Sequence, residues 1–294
     1  MAVVEPTDFQ RHMARRKWQG RAFHLLCLLA ILVGLSMLGA LLYNIIEQGW
    51  NHIDWQFLSG FPSRRPESAG IYGALMGSFY VVSIAAVTSF ILGVGAAIFL
   101  EEYTTRGWLV RVAQTNISNL AGVPSIVYGL LGLEIFARTF GLGSSVLAGG
   151  LTMALLALPI VIIAAEEALR AVPPSLREGA YALGATRWQT IWHLVLPQAF
   201  PGILTGVILA VSRAIGEAAP LIVVGAVAFV PFAPDGPLSH FTVLPIQIFN
   251  WISRPQAEFH EVAAAGILVL LAVLLTMNAF AVLLRLKFQK SSEG

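Results

Sequence analysis

The sequence predicts an all-α integral membrane protein, a polytopic bundle of about six transmembrane helices, and three observations carry that expectation. Of the 294 residues, 57% are hydrophobic and only 12% are charged, about half of the roughly 25% charge usual in a water-soluble globular chain. The mean hydropathy is +0.76. Six windows free of Asp, Glu, Lys and Arg each exceed the roughly 20 residues an α-helix needs to cross about 30 Å of hydrocarbon. An ordinary soluble enzyme is excluded. Alternating segments of about 10 residues, the mark of a transmembrane barrel, do not occur.

The windows follow in order. The first, 22–46, comes after a basic segment, 1–21, and is far longer than the roughly 7–15-residue core of a secretory signal; it reads as an uncleaved span. A connection with an aromatic middle, 47–70, leads to the second window, 68–100. This window exceeds what one helix needs, so 68–77 is expected at the interface or on a tilt. The remaining spans are expected at 112–133, 139–165, 188–212 and 262–284, before a short tail, 286–294. The connection around 230–260 holds Pro231, Pro234, Pro237, Pro245 and Pro255, and is either re-entrant or interfacial.

Charge placement orients the bundle. Thirteen of the 18 basic residues fall on one side: Arg11, Arg15, Arg16, Lys17 and Arg21, then Arg106 and Arg111, then Arg170, Arg177 and Arg187, then Arg285, Lys287 and Lys290. Arg64, Arg65, Arg138 and Arg254 fall on the other, and Arg213 lies within a span. Positive loops stay inside, so both termini are expected in the cytoplasm. Trp50, Trp55, Phe57, Phe229, Phe232 and Trp251 fit aromatic belts at the outer interface. A net charge of +2 is too balanced for a nucleic-acid partner. The single cysteine, Cys27, excludes an intrachain disulfide, and the six scattered histidines offer no metal-ligand spacing.

Residues 166–201 are the informative cytoplasmic connection. Pro173-Pro174 stops the fourth helix. Ser175 and Glu178 have capping-box spacing, and Gly184 suits the left-handed position that ends a helix. Thr186 and Gln189 repeat the capping pattern, opening a helix that meets Pro197. The sequence thus writes helix, glycine hinge, helix over about 175–195. Small residues such as Gly179, Ala180 and Ala185 keep its surface shallow, while Leu176, Tyr181, Leu183, Trp188, Ile191 and Trp192 supply contact area. The choice is between a mere connector and a rigid peg that docks into another protein. No phosphate-binding loop of the G-x-x-x-x-G-K-[ST] type occurs, so any ATP must be hydrolysed by another subunit.

Glu178-Gly179-Ala180, Gly184, Leu194, Leu196 and Pro197 resemble the E-A-A-x3-G-x9-I-x-L-P signature of permease subunits of ABC importers. Gly179 stands where that family commonly has Ala, and Leu194 where it has Ile. The runs 119–129 (NLAGVPSIVYG), 212–220 (SRAIGEAAP) and 250–255 (NWISRP) are similar to the phosphate-importing branch, more to its A-type than its C-type permease. The resemblance implies a type I ABC importer permease fold over 71–285, in the bacterial cytoplasmic membrane. It implies an ATPase-coupling role for Glu178, Gly179, Ala180, Gly184, Ala185, Leu196 and Pro197. It further implies a second, C-type permease, a dimeric ATPase subunit holding ATP and Mg, and an extracytoplasmic phosphate-binding protein. This chain is then a non-catalytic subunit that binds no cofactor or metal.

Arg213 and Glu217, four residues apart in the fifth span, are expected to share one helix face. A charge at mid-bilayer costs at least about 2.5–3.5 kcal/mol, so each needs a partner or a wet cavity. They are either a self-satisfied pair or the lining of the substrate pathway. For phosphate the second is sensible chemistry: a guanidinium holds two oxygens in a fork, and a carboxylate accepts from the protonated phosphate oxygen that sulfate lacks. Glu134 and Arg138 read as an interfacial ion pair, and Glu166 and Glu167 as partners of Arg170 or of the ATPase surface. Another oxyanion, such as sulfate or molybdate, is the alternative cargo; a gradient-driven carrier is the alternative class.

Overall fold

The structure, a computed structural model, describes residues 6–104, 107–226 and 229–292, and for 6–12, 14, 15, 284 and 288–292 the backbone alone. Arg106 and the side chains of Arg11, Arg15 and Lys290, counted above, lie outside the described residues. The chain runs through α1 (Pro6–Gly49), α2 (Trp55–Ser59), α3 (Tyr72–Ile98), α4 (Trp108–Ala121), α5 (Ser125–Gly132) and α6 (Val146–Arg170). It continues through α7 (Pro174–Ala182), α8 (Arg187–Thr190), α9 (Leu196–Ile215), α10 (Ala219–Val224), α11 (Leu244–Ile252) and α12 (Glu258–Ser292). Wider π turns extend α3 at Phe99–Tyr103 and α5 at Leu133–Thr139, and a third, Ile191–Val195, joins α8 to α9.

Five helical stretches are long and apolar enough to cross a membrane, and α4 with α5 and its π turn makes a sixth candidate, bent by 104°. The third span expected at 112–133 is thus a broken one, running over Trp108–Ala121 and Ser125–Thr139. Its break falls at Gly122–Pro124, where proline lacks a donor and pushes the preceding residue out of the helical region. The bent pair still traverses the bundle. Gln114 on α4 donates to Glu166 near the end of α6 (3.3 Å), whereas Ala137 packs on Ala148 near its start.

α6 is the central span. It packs on α3 and α9 through Val94, Ala97, Ala157, Val161, Ile203 and Val207, and Gly206 lets α9 approach so closely that a Cβ there lies 2.1 Å from Ala164 Cβ. The segment α1 is the opposite case: exposed along most of its described side chains, it meets the bundle at its end, where Gly49 lies against Ala264 of α12. Such a face suits lipid.

The two long connections are built structures. Asp54 caps α2, its carboxylate accepting from the Phe57 amide at 2.6 Å. Phe57 and Trp251 are not interfacial belts, as expected above, but buried partners with ring centroids 5.9 Å apart. Trp50 and Trp55 do stay exposed. The proline-rich connection dips into the bundle: Phe241, Leu244 and Trp251 are fully buried, packing with Ile71, Ala74 and Phe259 on one side and Val81 and Tyr128 on the other. An interfacial helix could not bury both faces this way.

Candidate functional site

Two helix breaks meet inside the bundle. α9 stops at Ile215 and α10 starts at Ala219, because Pro220 lacks the N–H that would donate to the Gly216 carbonyl. The other break is the α4–α5 elbow. Gly129 makes their contact possible: a Cβ there lies 2.7 Å from Pro220 Cα. Across this junction Ser125 Oγ donates to Glu217 Oε1 at 2.7 Å, and the buried Tyr128 donates its hydroxyl to the Leu120 carbonyl at 2.8 Å, bracing the elbow.

The expected common helix face for Arg213 and Glu217 is corrected, since the helix ends between them. Glu217 turns toward α5 and is half-buried, and no ion pair joins it to Arg213. Arg213 is exposed in the last turn of α9. Among the described residues Arg213 has no ion pair, and Glu217, four residues on beside the break, keeps one carboxylate oxygen uncommitted. Chemically, a guanidinium can donate a fork to an oxyanion and a carboxylate can accept from a protonated one.

The second region is α7 and α8. α7 begins at Pro174, with Pro173 before it and no side-chain cap, so the Ser175–Glu178 capping box does not form. Proline at the first helical position needs no partner and has its φ preset, which leaves Ser175 inside the first turn. Gly184 takes φ +85°, and the Thr186–Gln189 box is present, with Thr186 N donating to Gln189 Oε1 at 2.9 Å and Gln189 N to Thr186 Oγ1 at 3.3 Å. The helix does not stop at Pro197: the π turn Ile191–Val195 widens the path where the ring would otherwise strike the His193 carbonyl. Glu178, Gly179, Gly184 and Pro197 are exposed, and Ala180, Ala185 and Leu196 half-buried. Leu183 is 90% exposed, beside the exposed Tyr181 and Trp188. A peg this apolar has a surface fit for a protein partner.

Sequence reading missed how the peg is fastened. Arg177 gives Nε and Nη2 to Glu102 Oε1 (3.2 and 2.8 Å), Nη1 to the Val172 carbonyl (2.6 Å), and Nη2 also to the Leu169 carbonyl (2.8 Å). Arg170 forms its ion pair with Glu101 at 3.0 Å, because α3 ends beside α6 and presents its acidic pair there, while Glu166 and Glu167 add to the negative charge around it as expected. Arg187 stacks over the Tyr103 ring, 5.7 Å from its centroid. The available signal was the run Glu101-Glu102-Tyr103 closing the second window. Glu134 and Arg138 form the expected exposed pair at 3.0 Å.

A family model described as binding-protein-dependent transport system inner membrane component matches residues 89–290. A protein of Mycobacterium tuberculosis (strain CDC 1551 / Oshkosh), named phosphate transport system permease protein PstA 1, is 35% identical over 292 residues, covering 96% of this chain and 93% of that protein. The Yersinia pestis protein named phosphate transport system permease protein PstA is 34% identical, over 92% of each. Among solved structures, a bacterial ABC transporter involved in the import of the acidic polysaccharide alginate superposes with a TM-score of 0.65 at 16% identity, over 95% of this chain and 98% of that one. At that identity the likeness speaks to the fold, which is that of ABC importer permeases.

Proposed function

The chain belongs to the family of binding-protein-dependent transport system inner membrane components, and from that premise we propose that it is one permease subunit of an ATP-driven phosphate importer. It is a multi-pass protein of the cytoplasmic membrane. In this reading both termini and the α7–α8 peg face the cytoplasm, where a dimeric ATPase holds ATP and Mg. A second, C-type permease completes the pathway, and an extracytoplasmic binding protein delivers phosphate. This chain performs no bond-making chemistry. Its work is conformational: closure of the ATPase pair displaces the peg, and the spans swing from inward-open to outward-open.

The observation that carries the reading is the exposed elbow of α7, Gly184 and α8, apolar on its outer face and pinned to the ends of two spans. Glu178, Gly179, Ala180, Gly184 and Ala185 form the surface that meets the ATPase, with Leu196 and Pro197 carrying the motion into α9. Arg213, Glu217 and Ser125 form the polar stage of the pathway. The arginine attracts the anion, and the carboxylate selects a protonated one while keeping affinity low enough for release.

Reconstitution tests this. Vesicles holding this chain, its partner permease and the ATPase should accumulate labelled phosphate only with ATP and the binding protein. Uptake by the purified chain alone on an ion gradient would establish the carrier class instead, and equal competition by sulfate or molybdate would change the cargo.

A further inference from the structure

α7 buries none of its residues. Among the described residues, Arg177 is the α7 side chain whose hydrogen bonds leave the α7–α8 segment. A push on the outer face of α7 therefore has three routes into the bundle. Two are covalent, back through 171–173 into α6 and forward through α8 into α9. The third is the Arg177–Glu102 contact, and it reaches α3, 75 residues away in sequence.

That contact has the build of a mechanical link. The Glu102 side chain is 6% exposed and that of Arg177 17%, so water screens the pair weakly. The guanidinium is held at both ends, by one carboxylate oxygen of α3 and by two carbonyls at the end of α6, which leaves it little freedom to swivel. Glu102 sits in the π turn Phe99–Tyr103. A turn with more residues per revolution separates successive side chains by a smaller angle, so Glu101, Glu102 and Tyr103 can all be met from the coupling side. They receive Arg170, Arg177 and Arg187 respectively.

We propose that this π turn is the socket through which the ATPase stroke enters α3, and that Arg177 and Glu102 are positioning residues for transport. This rests on the reading of the chain as an ATP-driven permease. The two covalent routes reach α3 only through its packing on α6; the socket ties the end of α3 directly to α7, so that all three spans travel together.

The test uses the assembled complex in vesicles, with Cys27→Ser as background. Glu102→Ala should lower ATP-driven phosphate uptake about tenfold, within the range of ordinary coupling effects, while ATP hydrolysis and assembly stay near the parental level. A merely structural contact would move stability and not the ratio of phosphate moved to ATP consumed. Glu102→Cys combined with Arg177→Cys should be uncoupled in the same way, and a short bismaleimide bridging the two sulfurs should restore most uptake. Normal uptake by Glu102→Ala overturns the proposal, as does a bridged complex that stays silent, for then the two sites must separate during the cycle. If the parental complex shows no ATP-driven uptake at all, it is the permease reading that falls.

Discussion

Ser125 and Glu217 stand 92 residues apart in the chain and share a 2.7 Å hydrogen bond. The bond runs from the first residue of α5 to the break between α9 and α10, beside Pro124 and Pro220, and so ties the two elbows of the bundle together. Irregular backbone within a membrane-spanning bundle survives where it lines a cavity or is buried in protein. It leaves Glu217 with one oxygen committed and one available.

Arg213→Ala should reduce phosphate uptake about tenfold or more, since a hydrogen bond to a charged group is worth about 1.5–3 kcal/mol. Arg213→Lys should recover only part of this, because an ammonium cannot hold two oxygens in a fork. Labelled-phosphate uptake at matched protein levels measures both. Unchanged uptake in the alanine variant removes Arg213 from the pathway.

Glu217→Gln should weaken discrimination between phosphate and sulfate. A carboxamide can donate as well as accept, so it no longer penalises an anion without a proton. Sulfate added in excess should then inhibit phosphate uptake several-fold more than in the parent, and an unaltered competition curve counts against the role given to the carboxylate.

Gly184→Ala should loosen the grip on the ATPase. The φ of +85° is a left-handed conformation that costs a residue with a Cβ about 1–2 kcal/mol, which re-aims α8 relative to α7. Co-purification of the ATPase should fall several-fold while this chain still inserts at normal levels. Gly39→Ala is the control: it lies on the exposed α1, away from the peg, and a Cβ there meets nothing within 4 Å, so co-purification should hold.

Gln247→Met should raise thermal stability. Gln247 is fully buried, and among the described residues neither amide atom has a hydrogen-bond partner; removing such an unsatisfied group recovers on the order of 1–3 kcal/mol. A melting curve of the purified complex shows it as a rise of a few degrees, and a fall would show that the amide is satisfied in another state of the cycle.

Composition and charge-free windows determined the class of this molecule, because lipid imposes its demand on every residue of a span and leaves a one-dimensional trace. Local punctuation was as legible where chemistry is local: Gly184 as a left-handed hinge, Thr186 with Gln189 as a capping box, Glu134 with Arg138 as a pair one turn apart. Where a tertiary partner competes, the sequence misled. Arg170 found Glu101 on another helix besides the neighbours on its own, Phe57 and Trp251 left the interface for each other, and Glu217, expected to share a helix face with Arg213, met Ser125. Folding alone decided these, since hydrogen-bond and ion-pair energies depend on distance in space, and helices as apolar as these carry no mark of which neighbour they will meet.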